Sequence, residues 1–142
     1  MPQIDFYVLT DSSTDAHLRY ACRLAEQAVE RGQRVFMRTT TSDDSKRIDD
    51  LLWTFGDRSF LPHEVATTAL PSHEKVRVLI GTSPPAGFSD LVINLSVEAL
   101  PDSQALLQIV ELVPVDAERK RQARERFKIY RDRGIEPTTH TV

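Results

Sequence analysis

The residues of this chain best placed to act together are cations and aromatics rather than nucleophiles. Ala123, Phe127, Tyr130 and Gly134 are spaced i, i+4, i+7, i+11 and form one apolar stripe of a helix. Lys120, Arg124, Lys128 and Arg131 have similar spacing and form a basic stripe beside it, with no acid in it. A solvated face beside a core-facing stripe accounts for most such patterns, but it normally mixes both signs. A one-sided row of cations next to aromatics has the make-up of a pocket for an acidic peptide. A second cluster lies in LLWTFGDRSFLPHEV, Leu51 to Val65. Leu51, Leu52 and Phe55 suit the inner face of a helix end. Trp53, Phe60 and Pro62 fit either a satellite cluster under a loop or an exposed anchor for a protein partner. Composition leaves those two readings even.

Other chemistries find little support. Phosphate cradles need glycines so that backbone N–H groups can approach the anion. The first strand leads into TDSSTDAH, which has none, and the chain holds only five glycines, with no Gly-x-Gly-x-x-Gly and no Gly-Lys-Ser/Thr. A phosphoacceptor domain would need further acids and a lysine at strand ends where Asp11 stands alone. His17, His63, His73 and His140 are scattered without metal-ligand spacing. Ser83 has no evident base, and there is no nucleophile elbow. Neither catalytic residues nor a cofactor or metal are therefore expected.

These clusters must be positioned by a fold, and the chain alternates strand and helix signals. Residues 3–9 read as a strand, and a helix opened by Thr14 or Asp15 runs to Gly32. A strand at 33–39 and a helix capped by Ser42 or Asp43, stopping near Gly56, follow. The stretch 57–75 is irregular and holds at most a short strand. VRVLIG at 76–81 and DLVINLS at 90–96 read as strands buried on both faces. A short helix at 102–108 and a strand at 108–113 precede Asp116, an N-cap for a last helix ending about Arg133. The tail 135–142 is expected to fray. The expectation is one α/β domain over 1–142, with a mostly parallel sheet flanked by helices and a basic amphipathic C-terminal helix.

Composition sets the surroundings. The 142 residues carry a net charge of −3, so nucleic acid has no global footprint. Residues 116–133, however, hold eight basic and four acidic residues, net +4, leaving −7 for the remainder. An acidic body with a basic segment suits local binding of an anionic partner. The single Cys22 excludes an internal disulfide, and the start MPQIDFYVLT has no signal-peptide character. A cytoplasmic location is expected. Rival readings are a small nucleotide-dependent or hydrolytic α/β enzyme and a single-strand nucleic-acid binder. The glycine-poor first loop argues against the former, and the shortage of exposed aromatics interleaved with the basic stripe against the latter.

DDLLWTFGDRSFLPHEV at 49–65 and VPVDAERKRQARERFKIYRDRG at 113–134, with the opening IDFYVL and the order of elements, resemble the chi subunit of bacterial DNA polymerase III. The likeness covers most of the chain. It implies a Rossmann-like adaptor without a catalytic site, which pairs with the psi subunit and through it with the clamp loader. It also implies that the chain grips the acidic C-terminal tail of single-stranded-DNA-binding protein (SSB). Carried over, the psi-facing patch falls on Trp53, Phe60, Pro62 and His63. The SSB-tail site falls on Val113, Lys120, Arg124, Phe127 and Lys128. A DNA-repair helicase is implied as an alternative occupant of the psi patch, with little direct DNA binding and no membrane. Phe127 departs from the family, where tyrosine is common, and Ala117-Glu118-Arg119 is more charged than the resemblance leads one to expect.

Overall fold

Short runs of branched and aromatic residues make the strands of this protein, and segments with apolar residues every three or four positions make its helices. The structure, a computed structural model, describes residues 3–13, 15–54, 63–65, 76–82, 90–100 and 108–142, without the side chains at 53, 54, 63 and 64. In chain order the elements are β1 (Gln3–Val8), α1 (Ala16–Glu30), β2 (Val35–Arg38), α2 (Ser42–Thr54), β3 (His63–Val65), β4 (Val78–Gly81), β5 (Leu91–Asn94), β6 (Gln108–Val113), α3 (Ala117–Asp132) and β7 (Thr138–Thr141). The short helix expected over 102–108 falls outside the described residues, apart from Gln108, which opens β6.

Among the described residues seven strands form one sheet in the order β3-β4-β2-β5-β6-β1-β7. Every pairing is parallel, which goes further than the mostly parallel sheet expected. Parallel sheets need cover on both faces, and the pleat supplies it by alternation. Val35 and Met37 of β2 face a cluster with Leu18, Ala21, Cys22, Ala25 and Ala28 of α1 and Ile48 and Leu52 of α2. Phe36, between them, faces the opposite cluster with Phe6 of β1 and Ala123 and Tyr130 of α3. Full burial of each such branched or aromatic side chain contributes about 1.5–3 kcal/mol.

The helix ends are set by local chemistry. Asp116 caps α3, its carboxylate accepting from the Arg119 N–H at 3.0 Å. In α2 the cap lies one residue earlier than expected, because the Thr41 hydroxyl accepts from the Asp44 N–H at 3.2 Å. Both α1 and α3 end in the same left-handed motif. Gly32 has φ 81° and Gly134 φ 86°. Gln33 N–H donates to Ala28 C=O at 3.0 Å, and Ile135 N–H to Tyr130 C=O at 3.1 Å.

That turn at Gly134 explains the clearest correction to the sequence reading. The tail expected to fray over 135–142 instead returns to the sheet as β7, in register with Asp5 to Val8 of β1. Ile135, half-buried, packs against the core cluster that includes Ala123 and Tyr130 of α3. TTHT offers no apolar alternation, so its pairing depends on where the preceding glycine turn delivers the chain. The sheet edge then supplies the partner groups.

Candidate functional site

The stripe of α3 that faces the sheet does not pack tightly along its whole length. Between α3 and the strands β6, β1 and β7 lies a cavity of about 310 Å³, lined by Phe6, Val8, Val113, Lys120, Ala123, Arg124, Phe127 and Thr139. This size is within the range that holds small ligands or a single large side chain. Its floor is apolar: Phe6 and Phe127 meet with ring centroids 5.1 Å apart at 58°. Its rim is cationic, through Lys120 and Arg124. The structure therefore gathers four of the five residues assigned to the tail site, Val113, Lys120, Arg124 and Phe127. Lys128 is exposed one turn beyond and does not line the cavity.

Ion pairing separates the cations of α3 into two groups. Arg121 bridges Glu118 and Glu125 at 2.5 and 2.7 Å, and Arg131 reaches Glu136 at 3.7 Å. The side chains of Lys120, Arg124 and Lys128 have no acidic partner among the described residues. Among the described residues the basic row thus keeps three charges without an acidic partner at and beside the cavity mouth, while Arg131 is paired within the chain.

The position of α3 is set by a buried polar cluster that the sequence reading missed. Arg126 Nε donates to Glu111 Oε1 at 2.9 Å, and both side chains are almost wholly buried. Glu111 Oε2 accepts from Asn94 Nδ2 at 2.8 Å and from the Tyr130 hydroxyl at 2.5 Å. That hydroxyl accepts in turn from the Leu100 N–H at 3.0 Å. Burial raises the carboxyl pKa of Glu111, against the opposing pull of Arg126 and its hydrogen bonds. Three donors converge on the two carboxylate oxygens, which suits the ionised form. Tyr130, a member of the apolar stripe beside the cations, is therefore committed to the core. The signal for this cluster was a lone Glu within the apolar run QIVELV.

The second assigned patch lies elsewhere. Trp53 is in the last turn of α2, and His63 opens β3, the edge strand farthest from β7. Phe60 and Pro62 lie outside the described residues. At the carboxyl ends of the strands, where α/β sheets commonly hold nucleotides, the space is divided into cavities of about 230, 120 and 30 Å³ that share His17 and Arg119. Arg119 meets His17 Nε2 at 2.8 Å, and Arg47 of α2 grips Asp15 at the start of α1. Burial, with Arg119 next, lowers the His17 pKa to about 4, so the ring is neutral near pH 7. Among the described residues no group of three or more His, Cys, Asp or Glu side chains is placed to hold a metal. No described helix is long and apolar enough to cross a membrane.

The sheet order and the two covered faces define the class as a parallel, Rossmann-like α/β domain. Solved structures agree on the fold alone. T4 UvsW aligns over 99% of this chain and 41% of its own length, with TM-score 0.64 and 10% identity. The C-terminal domain of the DEAD-box protein Dbp5 aligns over 99% of this chain and 90% of its own, with TM-score 0.61 and 13% identity. Residues 1–138 match the family described as DNA polymerase III chi subunit, HolC. The DNA polymerase III subunit chi of Pseudomonas aeruginosa is 32% identical over 100% of this chain and 98% of its own. That of Escherichia coli is 27% identical over 99% of both. The chain belongs to the DNA polymerase III chi subunit family, whose members are accessory subunits of the replication machinery.

Proposed function

We propose that this protein is a cytoplasmic adaptor without a catalytic site of its own, joining the psi subunit, and through it the clamp loader, to the acidic tail of SSB. The observation that carries this reading is the cavity under α3. An apolar hollow walled by Phe127, Val113 and Phe6 and rimmed by Lys120 and Arg124 suits a chain end bearing an aromatic ring and a free carboxylate. The ring enters the hollow, where it loses water-exposed apolar area. The planar fork of Arg124 takes the α-carboxylate through two parallel hydrogen bonds. Lys120 and Lys128, one turn to either side of Arg124, face the acids upstream in the ligand as point charges. Phe127 supplies a ring without a hydroxyl, so its share is packing alone.

The psi contact is assigned to Trp53, Phe60, Pro62 and His63, of which Trp53 lies in α2 and His63 in the edge strand β3. A repair helicase competing for that patch rests on the family resemblance only. The absence of a glycine cradle and the division of the strand-end space, where Arg119 meets His17 and Arg47 meets Asp15, support a non-catalytic role. The experiment is titration of a fluorescent acidic peptide ending in phenylalanine, with free and amidated C-termini. Saturable binding that needs the free carboxylate is expected. Equal binding of the two forms would remove the proposed clamp.

A further inference from the structure

We infer that the free edge of β7 is part of the tail site, and that the acidic peptide docks on it as an eighth strand while its terminal ring fills the cavity. This rests on the tail-binding reading of the α3 cavity and adds the backbone geometry of the bound ligand. Among the described residues β7 ends the sheet, with β1 on one side and no strand on the other. The direction of its spare hydrogen-bonding groups follows from the register. Val142 N–H donates to Val8 C=O at 3.0 Å, and Thr10 N–H donates to Val142 C=O at 3.2 Å. Val142 therefore turns both backbone groups toward β1. In a parallel ladder, residues serving one neighbour alternate with residues facing the other side. His140 and Thr138 thus share the direction of Val142, and Thr139 and Thr141 present N–H and C=O to the open edge.

Two further facts bring this edge to the cavity. Thr139 itself lines the cavity, opposite Phe6 in the ladder, and Thr141 lies opposite Val8, another lining residue. A strand added beside β7 would therefore run along the mouth of the hollow. The edge is short, four residues, but Thr138–Thr141 contains no proline, lysine or bulge to block pairing and is rich in β-branched threonine. Charge selects the occupant. Lys120, Arg124 and Lys128 flank this side with no acidic partner among the described residues, so an acidic extended chain is matched and a basic one is repelled. Main-chain bonds to β7 would supply affinity, and the ring and carboxylate would supply specificity, as in other strand-addition sites.

The test uses the full chain with an aspartate-rich peptide ending in phenylalanine with a free carboxylate. Amide hydrogen exchange followed by NMR is expected to slow at Thr139 and Thr141 on peptide addition and to stay unchanged at Thr138 and His140. N-methyl groups walked along the peptide should weaken binding about two- to tenfold at every second position, the size of one lost main-chain bond. Thr141→Pro should weaken binding to a similar extent with its unfolding midpoint retained, because only an outward N–H is removed at an edge. Peptide binding that is lost in Arg124→Ala but shows no alternation and no protection at Thr139 and Thr141 would overturn the added strand and keep the pocket. No binding by the unaltered chain would overturn both.

Discussion

Arg124 is the side chain on which the proposed recognition turns, since it lines the cavity and is exposed without an acidic partner among the described residues. Arg124→Ala is expected to weaken tail-peptide binding by about 2 kcal/mol or more, because the ligand carboxylate would be left poorly paired. Arg124→Lys should recover only part, as an ammonium cannot reproduce the two-pronged geometry. Lys120→Ala should lose about 0.5–1 kcal/mol, and that loss should shrink with added salt. Fluorescence titration at two ionic strengths reads all three variants. His17 makes a different prediction. Its pKa falls from the ordinary 6.5 to about 4 in the fold, through burial first and the Arg119 charge second, with Asp15 opposing and Arg47 adding to the fall. A depressed folded-state pKa on a base means that the unfolded chain binds more protons between those values. Its stability contribution is complete above about pH 6.5 and is lost as pH falls toward about 4. Urea unfolding at pH about 7 and about 4.5 should show that decline in the unaltered chain and a shallower one in His17→Gln.

At the scale of elements, α3 has two faces with opposed duties. One carries Arg126 and Tyr130 into the core, where they hold Glu111 of β6. The other carries Lys120 and Arg124 to the cavity mouth. Because Arg126 and Tyr130 lie one turn apart, the buried cluster fixes both the rotation of the helix about its axis and its position along the sheet. Arg126→Met alone should destabilise the fold by about 3–5 kcal/mol, since it leaves a buried carboxylate without its cation. Combining it with Glu111→Leu should restore much of that loss, because the charge to be solvated is gone. Chemical denaturation of the two single variants and the double variant gives the coupling. If the single variant unfolds with unchanged stability, the cluster is not what seats α3.

For the molecule as a whole, the sheet order puts His63 of the proposed psi patch and the cavity under α3 toward opposite edges. β3, which His63 opens, is at one end of the seven strands, and β7, beside the tail cavity, is at the other. Five paired strands lie between them, and among the described residues no two-state element links one site to the other. Saturation with psi should therefore leave tail-peptide affinity within about twofold, a coupling of less than about 0.5 kcal/mol. Phe60→Ala should weaken psi binding by about 2–4 kcal/mol while leaving tail binding and the thermal midpoint intact. A lowered midpoint with psi binding retained would place Phe60 in the core.

How much of this could be read before the fold was known depends on the range of the interactions involved. The strand runs, the Asp116 cap, the glycine ending α3 and the row Lys120–Arg124–Phe127 are written within a few consecutive residues, where helix and strand periodicity act directly. They were legible for that reason, and they brought four of the assigned residues to one cavity wall. Phe6, Val8 and Thr139 were not assigned, because their place in that wall comes from pairing β1 with β6 and β7, segments about a hundred or more residues apart. Arg126 counted in the sequence only as one of the eight basic residues of 116–133. Its burial depends on Glu111, which a strand pattern marks only as an interruption. The segment after Gly134 read as frayed because its own residues offer no apolar face. Edge strands bury little, and their stability comes from backbone bonds to a neighbour whose position no local pattern contains.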